Sequence, residues 1–160
     1  MRVFKDNAGR SWSVCINVDA IKRVRKLLDV NLLEIAGGQL IEQLAGDPVL
    51  LCNVLYAVLK PEADAQKISD EDFGRAMAGD AIEHATTAFL EELVDFFPSG
   101  RRRVLAKALG KLQTLQSRLL TLAEEQLDSP QIDAQIEQAL KNSGNLSGNS
   151  PVTSESTQAS

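Results

Sequence analysis

Between Pro48 and Lys60 the chain reads VLLCNVLYAVL, and Asn53 is the one strongly polar side chain in that run. The ends of the run predict a helix. Asp47 can cap it, Pro48 suits a first turn in which its missing N–H is not needed, and Pro61 is expected to stop propagation. A helix that is apolar on every side belongs inside a core. The rest of the chain must therefore supply amphipathic elements to surround it.

The chain has 160 residues, enough for one domain with appendages, and a domain of that size buries roughly 70% of its unfolded surface. Its two cysteines, Cys15 and Cys52, lie on a predicted strand and on the apolar helix, so we expect buried free thiols and no disulfide framework. The opening residues MRVFKDNAGRSW contain no apolar stretch followed by a small-residue cleavage site, and no apolar run reaches the length of a membrane span. We therefore expect a soluble, cytoplasmic protein without a membrane partner.

RVFK and RSWSVCINV flank the turn-forming cluster DNAG. In the second run Trp12, Val14, Ile16 and Val18 alternate with polar positions, which predicts a hairpin with one buried face, packed most simply on the helix that follows. That helix is NVDAIKRVRKLLD, capped by Asn17 or Asp19. Its apolar face is Val18, Ile21, Val24, Leu27 and Leu28, and Lys22, Arg23, Arg25 and Lys26 take the opposite face. NLLEIAGGQLIEQLAG reads as a second helix ending at Gly46, with Gly37-Gly38 as the place where it would break. After the apolar helix, Ser69 is placed to cap a short helix whose third residue is Asp72. Gly79 ends that helix, and Asp80 is placed to cap another that stops at Pro98, with Ile82, Ala85, Phe89, Leu93, Phe96 and Phe97 on one stripe.

From Ser99 the pattern changes. Leu105, Ala108, Leu112, Leu115, Leu119 and Leu122 recur at alternating spacings of three and four, a narrow coiled-coil-like seam on a helix running to Asp128. Such a short seam needs a partner. Ser129 and Pro130 open a last weak helix with Ile132, Ile136 and Leu140 on one side, and from Asn142 onward the chain is small and polar, as in a disordered tail. The expected fold is mainly α with a small N-terminal β-hairpin. It comprises a compact helical domain over 1–98, a long basic helix and short terminal helix over 99–141, and a tail over 142–160.

Charge follows the same division. Residues 30–98 carry three basic side chains and thirteen acidic ones, a balance of −10, whereas residues 99–123 carry Arg101, Arg102, Arg103, Lys107, Lys111 and Arg118 and no acid. The basic helix folds back on the acidic body, or both faces are merely solvated, or the helix serves as a docking arm for an acidic or helical partner. Nucleic acid is a weaker candidate, because the whole chain has a net charge of −5, only seven aromatic residues, and no binding motif beside the arginines.

No catalytic or cofactor pattern stands out. His84 is the single histidine, and on a helix Glu83 does not face it. Asp70, Glu71 and Asp72 are consecutive at a helix start and lack the spacing and central glycine of a calcium loop. Two separated cysteines and one histidine do not form a zinc set without carboxylates. Gly37-Gly38 has no following Lys-Ser/Thr, and no serine sits in a nucleophile elbow. We expect no enzymatic activity, no cofactor and no metal.

The order of an N-terminal hairpin, a basic amphipathic helix, a short helix ending at GDP, then LLCNVLYAVLKPEA and SDEDFGRAM resembles the tail assembly chaperones of long-tailed bacteriophages and prophages, over about residues 1–98. That resemblance implies a small α-rich protein that binds the tape-measure protein, keeps its long helices soluble and recruits tail-tube subunits, in the host cytoplasm if phage-encoded. It also implies a family often made in two lengths by ribosomal frameshifting. It assigns no functional residue. The seam and its basic flank give the candidate partner-binding set from the residues themselves: Leu105, Leu112, Leu115, Leu119 and Leu122 with Arg101, Arg102, Arg103, Lys107 and Lys111. Two alternatives remain: a small nucleic-acid-associated regulator acting through basic helix 99–118, and a helical adaptor that self-associates along the seam to form a homo-oligomer.

Overall fold

The structure, a computed structural model, describes residues 1–144. The disordered tail expected from 142 lies outside the described residues except at 142–144, and those three residues are helical. The chain divides into two units, Met1–Lys111 and the residues from Leu112 onward. The division falls inside a long helix and not at the Pro98/Ser99 junction.

In the first unit, β1 (Arg2–Lys5) and β2 (Ser11–Val14) pair antiparallel, with Phe4 opposite Trp12 and Arg2 opposite Val14. The connecting turn is held by Asp6, whose carboxylate accepts from the backbone N–H groups of Ala8 and Arg10, each at 3.0 Å. Gly9 supplies the positive φ of +78° that the turn requires. The buried face consists of Phe4, Trp12 and Val14, with Ile16 buried just beyond the strand. Val18 does not extend this face. It opens the next helix and is 58% exposed, because Asn17 stops the strand by capping that helix.

Helix α1 (Val18–Leu28) begins at Asn17, whose side chain accepts from Ala20 N–H at 2.9 Å, and ends at Asp29 in a left-handed conformation. It buries Ala20, Ile21 and Val24, and leaves Leu27 exposed with Val18. The expected second helix is indeed interrupted: Leu32–Gly37 is a 3-10 helix, and after Gly38 (φ +81°) the chain continues as α2 (Gln39–Gly46).

Helix α3 (Pro48–Ala65) is the centre of the unit, packed by α1, α2, α5 and β2. Asp47 caps it by accepting from the N–H groups of Val49 and Leu50. Leu51, Val54, Leu55, Val58 and Leu59 are buried, as the apolar run predicts. The expected stop at Pro61 is not observed, and the helix runs on to Ala65. Pro61 has no N–H for the carbonyl of Ala57, but the guanidinium of Arg23 donates to that oxygen at 3.2 Å and to the carbonyl of Val58 at 2.9 Å. Arg23 therefore turns inward, and does not share the solvent face of Lys22 and Arg25.

Ser69 caps α4 (Asp70–Arg75), with reciprocal hydrogen bonds between its hydroxyl and Asp72. α4 carries the fully buried Phe73, whose ring meets Trp12 edge-on at 5.2 Å. Helix α5 (Asp80–Asp95) is capped at Gly79 and not by the Asp80 side chain. The hairpin packs chiefly on α5 and α3, not on the helix that follows it. α5 also anchors the chain start, through Met1 N to Glu92 at 2.9 Å and Arg2 to Glu91 and Asp95. The buried-thiol expectation is not met: Cys15 is exposed just past the strand and Cys52 is half-buried, and both are free.

Candidate partner-binding surface

Helix α6 (Ser99–Leu127) carries all ten residues of the candidate set. Its start is fixed by Arg102. The backbone N–H of Arg102 donates to Pro98 O at 2.9 Å, and its Nε donates to Phe97 O at 3.1 Å, so this arginine holds the corner between α5 and α6. Arg101, Arg103, Lys107 and Lys111 are exposed along the same helix.

The leucines fall into two groups. Leu105 and Leu109 are each only 5% exposed and belong to the core of the first unit. The first inward step is therefore four residues, so Leu109 is buried and Ala108 is exposed, in place of the predicted seam position. In the second unit Leu112 is half-buried, while Leu115, Leu119 and Leu122 are 55, 58 and 55% exposed. Helical spacing puts these four on one narrow stripe. The hydroxyls of Ser117 and Thr121, on the opposite side by the same spacing, bond back to the carbonyls of Gln113 and Ser117. These two hydroxyls thus bond within the helix, whereas among the described residues nothing apolar covers Leu115, Leu119 and Leu122.

The sequence reading omitted Leu109, Leu120 and Leu127. Leu120 and Leu127 are also exposed, outside the stripe. Spacing alone could have flagged both, but a two-position heptad template excludes them. Helix α7 (Pro130–Gly144) likewise leaves Ile136 and Leu140 exposed among the described residues.

Other concavities offer less chemistry. An open groove of about 540 Å³ runs beside the α1–α2 connection and is lined by Asp29, Asn31, Glu34, Gln39, Gln43 and Leu50 among others, with no histidine, cysteine, lysine or arginine. His84 is exposed on α5. Among the described residues no group of three or more His, Cys, Asp or Glu side chains is placed to hold a metal ion. Asp6 is a buried acid, 5% exposed. Burial pushes its carboxyl up, but hydrogen bonds from Trp12 Nε1 (2.8 Å), Arg10 Nε (2.7 Å) and the Arg10 backbone outweigh this and hold it below the ordinary value. Its lone pairs are all directed into the hairpin, which makes it a structural group. Burial, with a smaller contribution from the Asp70 charge, raises the Cys52 thiol and leaves it a poor nucleophile.

No single helix among the described residues is long and apolar enough to cross a membrane; α2 and α3 meet the length and composition only as a pair bent by 102°. Comparison with protein-family models, curated proteins and solved structures finds no match for this chain.

Proposed function

We propose that this protein is a non-enzymatic assembly chaperone of the phage-tail type, acting in the cytoplasm, which binds the helices of a tape-measure protein and brings tail-tube subunits to them. The observation that carries the reading is the row Leu115, Leu119 and Leu122, exposed on a helix whose first six turns hold six basic side chains and no acid. An amphipathic client helix would lay its own apolar stripe against such a row, and its acidic flanks would meet Arg101, Arg103, Lys107 and Lys111. Within the first unit α3 is central, and Arg102 fixes the start of α6. Support of a different kind comes from the order of hairpin, basic helix and proline-initiated apolar helix over residues 1–98, which resembles that family.

The test is co-purification of the full chain with the tape-measure and tail-tube proteins encoded beside it, together with a Leu115→Asp/Leu119→Asp variant. Binding by the parent and loss in the variant is the expected result. Equal binding by both would move the client site off α6. The absence of any gene for a long helical protein nearby would remove the reading altogether.

A further inference from the structure

We infer that the exposed leucine row of α6 is covered, when no client is bound, by the same row of a second copy of this chain lying antiparallel to it. The inference is independent of the client, because it rests on the charge order along α6 and α7. Residues 99–123 carry six basic side chains and no acid. Residues 124–144 carry Glu124, Glu125, Asp128, Asp133 and Glu137 against Lys141 alone. A parallel pair would align the two basic stretches side by side. An antiparallel pair instead lays the basic stretch of each copy toward Glu124 and Glu125, the acidic end of α6, on the other.

Register follows from the row itself. Setting Leu115 opposite Leu119 of the second copy also sets Leu112 opposite Leu122, so the four leucines form two mutually covering layers on each side of a two-fold axis. In that register the exposed Lys111 of each copy lies beside the exposed Glu125 of the other, at the flanking positions that set partner choice and orientation in paired helices. Arg118 lies near the axis and faces its own counterpart, the single unfavourable flank.

The experiment uses light scattering on the full chain over a wide concentration range, with circular dichroism to show that each variant keeps its helix content. The parent is expected to reach the mass of a dimer, and Leu115→Asp/Leu119→Asp to remain a monomer. Lys111→Glu should weaken the dimer about tenfold, since two attractive flanks become repulsive. Adding Glu125→Lys to Lys111→Glu should restore it, and Arg118→Gln should tighten it. A parent that stays monomeric at every concentration overturns the inference. So does a dimer weakened by Lys111→Glu that Glu125→Lys fails to restore.

Discussion

The guanidinium of Arg23 on α1 donates to the carbonyl of Ala57 on α3, the one carbonyl whose helical donor is removed by Pro61. It also reaches the neighbouring carbonyl of Val58. A side chain from the packed neighbour thereby replaces a backbone bond, and the apolar helix continues one turn further than its own sequence directs. That extra turn has a use. It carries Glu62, whose carboxylate accepts from the backbone N–H of Ser13 on the edge strand β2 at 3.1 Å.

Replacing Arg23 should therefore depend on residue 61. Arg23→Met is expected to destabilise the protein by about 1–2 kcal/mol in urea unfolding, the usual effect of leaving a partly buried carbonyl without a donor. In a Pro61→Ala background, where residue 61 regains its N–H, the same change should be milder. Strict additivity in this double-mutant cycle would show that Arg23 does not substitute for the missing bond.

Asp6 should control stability in acid. Its folded carboxyl is held below the ordinary value, so it stabilises the fold above the unfolded aspartate pKa of about 3.9, and that contribution is lost as pH falls through the lower, folded value. Asp6→Asn keeps the shape but weakens the bonds to Arg10 and Trp12, and is expected to lose about 2–4 kcal/mol at neutral pH. The stability of the variant should fall less steeply below pH 4 than that of the parent. Identical slopes in acid would assign the loss to other carboxylates.

Gly79 precedes α5 at φ +55° and ψ −130°, a conformation that side-chain-bearing residues scarcely occupy. No atom stands within 4 Å of where a Cβ would lie, so space is not the obstacle. Gly79→Ala is expected to lower stability by about 1–3 kcal/mol from backbone strain alone. A neutral result by thermal unfolding would mean that the turn adopts another geometry.

The two leucine groups of α6 should respond differently to truncation. Leu109→Ala removes a buried side chain and is expected to cost about 2–4 kcal/mol at every protein concentration. Leu115→Ala should leave the stability of the single chain within about 0.5 kcal/mol and change only its dependence on concentration. Melting curves at low and high concentration separate the two effects.

Much of the architecture was legible because its signals are local. Asn17, Asp47 and Ser69 each cap the helix predicted for them, since a side-chain oxygen two or three bonds from Cα finds nearby N–H groups regardless of the rest of the fold. DNAG turns the hairpin for a similar reason. The candidate site was legible only in part. The spacing identified the row Leu115, Leu119 and Leu122, but not that Leu105 and Leu109 turn into the core while Ala108 faces outward. Which side of a helix is buried depends on what packs against it, and the charge pattern alone does not show that Arg102 also holds the α5–α6 corner.

The sequence by itself determined where elements begin, that α3 must be central, and that a basic helix follows an acidic body, because caps, apolar runs and charge counts are properties of neighbouring residues. Only the tertiary structure decided that α3 passes through Pro61, that Arg23 turns inward, that the hairpin rests on α5 and α3, and that, among the described residues, Leu115, Leu119 and Leu122 are left uncovered. Each of these depends on a group brought from a distant part of the chain, or on the absence of one, and the free energy of that meeting outweighs the local preference.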